Sequence, residues 1–248
     1  MADRVLLLLA GLMCDDRVWA CQREALADLA DVRIMSFPGF DSITAMAQAV
    51  LEQAPARFAL AGHSMGGRVA LEVMRLAPER VERLALLNTG AHPPQPDEPE
   101  KRGALVELGR TRGMAAVADR WLPPMMKPGR LDADPRLAAE LKAMVERGTP
   151  ESFAAQTRAL LTRPDATPVL SAIRCPTMLL SGRQDGFSPL ARHAAMQALI
   201  PDSVLVAIED AGHMAPVEQP QAVANALRVW LTMPHEQSKS HSEEIAHG

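Results

Sequence analysis

The chain has 248 residues, 48% of them hydrophobic, enough for one α/β domain with an insertion and a large core. A formal charge of −4 leaves no basic excess, which argues against nucleic acid or an anionic membrane as partner. Cys14, Cys21 and Cys175 cannot all pair with one another, and no C-x-x-C or histidine-rich cluster suggests a metal, so a cytoplasmic protein is expected.

The first element is the apolar run Val5 to Leu12. It resembles part of a secretion signal, but it is short, Asp3 precedes it, and no A-x-A site follows. It reads instead as a buried parallel strand, Val5–Ala10. No run in the chain reaches the ~20 apolar residues that span a bilayer. A helix is predicted over Arg17–Leu29, with Val18, Trp19, Leu26 and Leu29 apolar, and a strand over Val32–Phe37 that stops at Pro38-Gly39. Ile43–Gln53 reads as a helix capped by Ser42, with Asp41 competing for that role. Arg57–Ala61 is a short strand, Arg68–Leu76 an amphipathic helix, and between them lies Gly62-His63-Ser64-Met65-Gly66, a G-x-S-x-G. A serine at a strand-to-helix junction, with glycine two before and two after, sits on a turn too tight for side chains there. Such a turn exposes its hydroxyl and aims the N–H groups of the following helix at whatever it attacks. Val81–Leu87 is the next strand.

After Asn88 the alternation stops. The proline-rich stretch His92 to Pro99 suits neither helix nor inner strand. Helices follow at Lys101–Arg110, Met114–Trp121, Pro135–Arg147 and Ser152–Leu161, with a turn at Pro123-Pro124-Met125-Met126. Four helices without a strand predict a helical cap over 92–163, inserted into a core made of 1–91 and 164–234. Strand and helix then alternate again at Thr177–Ser181, Pro189–Leu199, Val204–Ile208 and Glu218–Thr232. Residues 235–248 are polar and aperiodic, and read as a disordered tail. The predicted class is α/β: a mostly parallel sheet of about six strands flanked by helices, with its site beyond the carboxyl ends of the strands.

A serine hydroxyl needs a base to take its proton and an acid to orient that base. Asp185 lies in Gly182-Arg183-Gln184-Asp185-Gly186, after one strand, and His213 in Ala211-Gly212-His213-Met214, after the next. Both loops belong to the same sheet edge as Ser64. Asp210, three residues before His213, is the rival acid, with loop capping as its other reading.

These pieces together resemble the α/β-hydrolase superfamily: G-H-S-M-G-G at Gly62–Gly67, S-G-R-Q-D-G-F-S-P at Ser181–Pro189, and A-G-H-M-A-P-V-E-Q-P at Ala211–Pro220. The likeness runs from Arg4 to Met233. It implies Ser64 as nucleophile, His213 as general base and Asp185 as orienting acid. It also implies an oxyanion hole from the N–H of Met65 and a second N–H after the first strand, at Leu12. Ala10-Gly11 stands where many members carry His-Gly, so hydrogen bonding inside that loop must differ. The resemblance implies a serine hydrolase of small apolar esters that needs no cofactor or metal. C–C bond hydrolysis of ring-cleavage diketones, cofactor-free perhydrolysis and a small-molecule receptor are the alternatives. Trp121 and Met125 are candidate pocket residues. His63 and Cys14 read as packing residues, His92 as solvated, and Arg102, Arg110, Arg112 and Arg120 as a solvated face.

Overall fold

The computed structural model describes residues 4–234, so the predicted tail at 235–248 lies outside the described residues. Continuous apolar runs form the inner strands, since a parallel strand covered on both faces has no solvent side to alternate toward. The strands are β1 (Val5–Leu9), β2 (Asp31–Met35), β3 (Phe58–His63), β4 (Val81–Leu87), β5 (Thr177–Gly182) and β6 (Val204–Ile208). They make one sheet of six strands in the order β2-β1-β3-β4-β5-β6, with every pair parallel. Edge strands β2 and β6 are only partly buried, whereas β3 and β5 are buried throughout.

The strand order reverses between β1 and β3. The chain leaves β1 toward β2 on one side and returns as β3 on the other, so the loops after β1 and β3 diverge and leave a crevice between them. Those two loops carry Leu12 and Ser64.

The helices are α1 (Ala20–Leu26), α2 (Ile43–Gln53), α3 (Met65–Leu76), α4 (Glu98–Met125), α5 (Arg130–Ala133), α6 (Pro135–Glu146), α7 (Pro150–Leu161), α8 (Thr167–Leu170), α9 (Leu190–Gln197), α10 (Ala215–Glu218) and α11 (Pro220–Thr232). Ser42 caps α2 by accepting the Ala45 N–H, and Asp41 faces Arg158 instead. Four expectations need correction. The helix expected over Arg17–Leu29 is a 3₁₀ turn at Asp16–Trp19 followed by the shorter α1. The two helices expected between Lys101 and Trp121 run on as α4, kinked at Gly113, whose φ of 79° only glycine adopts readily. Pro123 and Pro124 lie in the last turns of α4, not in a separate turn. The last predicted helix is two, because Gln219 leaves helical geometry before Pro220 starts α11. The short α5 and α8 had not been expected; at four residues each they are too brief to show a period.

Candidate active site

Ser64 stands between β3 and α3 with φ 54° and ψ −116°, a strained conformation for a residue with a Cβ. The surrounding glycines make this turn possible. A Cβ on Gly62 would lie 2.3 Å from the Gly66 carbonyl oxygen, and one on Gly66 would lie 2.3 Å from the Leu9 carbonyl oxygen. The turn therefore closes backbone against backbone. Thr89, just past β4, donates its hydroxyl to the Ser64 carbonyl at 2.7 Å and fixes the elbow from the neighbouring strand.

His213 and Asp185 arrive from the loops after β6 and β5. Ser64 Oγ is 2.8 Å from His213 Nε2, and His213 Nδ1 is 2.9 Å from Asp185 Oδ2. Gly182 and Gly212 let the two loops approach, since a Cβ on Gly182 would come within 2.2 Å of the Gly212 oxygen. Asp185 accepts four hydrogen bonds in all. Oδ2 also takes the Asn88 amide at 2.9 Å, and Oδ1 takes the N–H groups of Phe187 and Ser188 at 2.8 Å each. Burial disfavours its charge, but the facing imidazole and these donors outweigh burial and hold the carboxyl well below the usual carboxylate range.

Asp210 is elsewhere. It is exposed, has a left-handed φ of 56°, and pairs with Lys127 Nζ at 2.5 Å. Its side chain neither reaches His213 nor caps its own loop.

The loop after β1 is pinned by a residue that sequence reasoning missed. Gln156 of α7 accepts the Met13 N–H at 2.9 Å and donates to the Phe37 carbonyl at 2.8 Å. Leu12 N–H and Met65 N–H donate to no acceptor among the described residues. Gly11 brings the loop against the serine: a Cβ there would sit 3.2 Å from Ser64 Cβ.

Glu218 was missed as well. Its carboxylate, 2% exposed, accepts the Gly212 N–H at 2.8 Å and the Lys127 N–H at 2.7 Å, while the His213 N–H donates to the Met125 carbonyl at 2.7 Å. The end of α4 is thereby tied to the histidine loop. Burial raises the Glu218 pKa. Asn88, Gln156 and Glu218 each stand between an apolar and a polar residue, a pattern that marks nothing out and names no partner.

The remaining candidates fall into place by burial. His63 is buried and donates from Nε2 to the His213 carbonyl at 2.8 Å; burial first, then the nearby His213, pushes its pKa down to about 4. Cys14 is buried, and its thiol is pushed up to about 12, chiefly by burial, which makes it a poor nucleophile. Trp121 and Met125 are both buried on α4. His92 is not solvated: it is half-buried, and Arg68 donates to its carbonyl at 2.9 Å. Arg102 likewise leaves the expected solvated face and packs on Glu98 at 3.0 Å. Among the described residues no helix is long and apolar enough to cross a membrane, and no group of three potential metal ligands gathers.

An acidic group on a histidine, and that histidine on a strained serine, is the arrangement that activates a hydroxyl for attack on a carbonyl. Known proteins share the fold around it. Residues 6–226 match the alpha/beta hydrolase family. Over 224 residues, 84% of this chain and 88% of the relative, the chain is 27% identical to the pimeloyl-[acyl-carrier protein] methyl ester esterase of Nitrosomonas europaea. A thermophilic esterase from Thermogutta terrifontis superposes with a TM-score of 0.83 at 32% identity, covering 93% of this chain and 90% of that one. The enol-lactonase from Burkholderia xenovorans LB400 gives a TM-score of 0.86 at 25% identity, covering 94% and 92%.

Proposed function

The chain belongs to the alpha/beta hydrolase family and is a hydrolase; from that premise we propose a serine esterase that cleaves small, largely apolar carboxylic esters through an acyl-enzyme. The observation that carries this reading is the unbroken path from Ser64 Oγ to His213 Nε2 at 2.8 Å and from His213 Nδ1 to Asp185 Oδ2 at 2.9 Å.

Ser64 Oγ attacks the ester carbonyl carbon while its proton passes to His213 Nε2. The negative charge that develops on the carbonyl oxygen is met by the Leu12 and Met65 N–H groups, the second reinforced by the start of α3. Collapse breaks the C–O bond, and His213 returns the proton to the departing alcohol. The same histidine then takes a proton from water, which attacks the acyl-enzyme, and the acid leaves with Ser64 restored. Asp185 keeps the imidazole in the tautomer with hydrogen on Nδ1 and stabilises the cation formed on proton transfer. The reaction calls for no cofactor.

Residues 92–163 form a cap over this edge, with core at 1–91 and 164–234, and Trp121 and Met125 line the acyl pocket. The tie between Met125 and His213 supports this placement, because it brings the end of α4 to the histidine loop. An enol-lactone and a methyl ester, the groups in the relatives' names, are both carboxylic esters, and the same steps cleave either.

The test is covalent labelling by a fluorophosphonate together with hydrolysis of p-nitrophenyl esters. Ser64→Ala should abolish labelling and lower kcat by about 10⁴-fold or more. Labelling that persists in Ser64→Ala would overturn the nucleophile.

A further inference from the structure

Next to the acid loop, a second cleft of about 340 Å³ opens between the segment after β4, α8 and α9. Leu170 and Met196 form its apolar wall, and His92, Thr167 and Arg192 its polar lip. Positive charge accumulates behind that lip. Arg68 Nη1 and Arg163 Nε both donate to the His92 carbonyl, at 2.9 and 3.2 Å, so two guanidinium groups converge on one neutral oxygen. Arg102 joins them through Glu98.

One carboxylate serves this group. Glu98 is taken up by Arg163, with contacts of 2.9 and 2.5 Å, and by Arg102 at 3.0 Å. Asp165, before α8, accepts the Thr167 N–H. Arg68 and Arg192 have backbone carbonyls and the His92 ring as partners, and no carboxylate partner among the described residues. Half-buried cations left without a counter-charge are costly unless an anion joins them. Burial and then Arg163 push the Arg68 pKa down to about 9. The His92 ring stays neutral for the same two reasons, burial and then Arg68, which push it down to about 4.

We infer that this cleft is a binding site for a small organic carboxylate, its charge held by Arg192 at the lip with Arg68 adding positive charge from behind His92, and its short aliphatic body laid against Leu170 and Met196. Guanidinium groups match a carboxylate in shape and charge, and the volume lies at the small end of ligand sites. The apolar wall selects a carboxylate with a hydrocarbon chain over a bare inorganic anion.

The site is tested by isothermal titration with sodium hexanoate, hexan-1-ol and inorganic phosphate. Two samples are used, native protein and protein whose serine has been blocked by a fluorophosphonate. Hexanoate should bind saturably in the millimolar range to both, with the alcohol and phosphate at least about tenfold weaker. Arg192→Gln should lose most of the hexanoate affinity. Ala195→Trp, at an exposed position on the rim, should block the cleft without disturbing the core. Absence of saturable binding to the native protein, equal binding by both variants, or phosphate binding as tightly as hexanoate would each overturn the site. Binding that the serine blockade abolishes would place the carboxylate at Ser64 and overturn it too. A serine that resists labelling would count against the esterase reading alone, because native protein still reports on the cleft.

Discussion

Three glycines of the sheet edge and two of the helical segment at 98–161 sit in opposite surroundings. At the edge, a Cβ on Gly62, Gly66 or Gly182 would lie within 2.3 Å of a backbone oxygen of another element. In the helical segment, a Cβ on Gly103 or Gly113 would meet nothing within 4 Å. The edge is closed by main chain packed on main chain, and no side chain can be inserted there. The segment is held mostly by side-chain anchors, among them Gln156 on the β1 loop, Glu218 on the Lys127 N–H and the ion pair of Arg17 with Glu140. Among the described residues it touches the edge main chain to main chain only where α4 ends, at Met125 and His213. A side chain added to the first region must displace main chain, while one added at Gly103 or Gly113 enters open space.

The largest expected effect breaks the edge chemically. Asp185→Asn keeps the shape but removes the charge and half the acceptors that fix the imidazole, so kcat should fall by about 10⁴-fold. Asp210→Asn, which touches only Lys127, should leave kcat within about twofold. Reversed effects in steady-state kinetics on a p-nitrophenyl ester would transfer the acid role to Asp210.

A second pair of variants tests the packing contrast itself. Gly66→Ala should cost more than about 3 kcal/mol or prevent folding, since the new methyl has only backbone to displace. Gly103→Ala, in open space within α4, should stabilise by about 0.4–1 kcal/mol through helix propensity. Urea unfolding of both proteins reads the difference, and similar costs in the two would erase the distinction.

A smaller effect sharpens the comparison on the side of the segment. Trp121→Ala and Met125→Ala should shift the ratio of kcat/KM between short and long acyl chains by about 1–3 kcal/mol while fluorophosphonate labelling persists. An unchanged chain-length preference in both would remove them from the pocket.

What the sequence made legible follows the same division. All six strands could be placed from the sequence, the inner ones most plainly because a strand buried on both faces announces itself by composition, and the loops carrying Ser64, Asp185 and His213 follow three of them. β4, α2 and β6 have the predicted ends. In the helical segment the kink at Gly113 and the run of α4 through Pro123 and Pro124 were hidden. A proline preference for helix starts and turns is local, whereas the packing that carries the helix on to Met125 is not. Asn88, Gln156 and Glu218 were invisible for a related reason. Each is defined by a partner far along the chain: Asp185, Met13 and Lys127. Arg102 and His92 were misread as solvated because nothing near them in sequence shows that Arg68 and Arg163 fold against the same turn.

The smallest expected effect concerns pH, and it too separates the regions. His63 and His193 are 1% and 0% exposed at the sheet edge, and burial holds each neutral, with pKa pushed from 6.5 down to about 4. The segment at 98–161 contains no histidine. As pH falls below about 6.5 the unfolded chain takes up these protons while the folded edge refuses them. The stability these imidazoles contribute is therefore complete above about 6.5 and is lost as pH falls toward 4. From pH 7.5 to 5.5 each should cost about 1 kcal/mol of unfolding free energy. Carboxylates with depressed pKa, such as Asp185 and Glu98, titrate lower still and add nothing in this window. His193→Gln can still accept the Thr89 N–H through its amide oxygen, and should flatten the pH slope measured by urea unfolding. Hydrogen exchange should show the loss first around Ser64 and Thr89 and later in α6 and α7. A slope unaltered by His193→Gln, or faster exchange in the helical segment than at the sheet edge on acidification, would mean that acid opens the molecule from the other side.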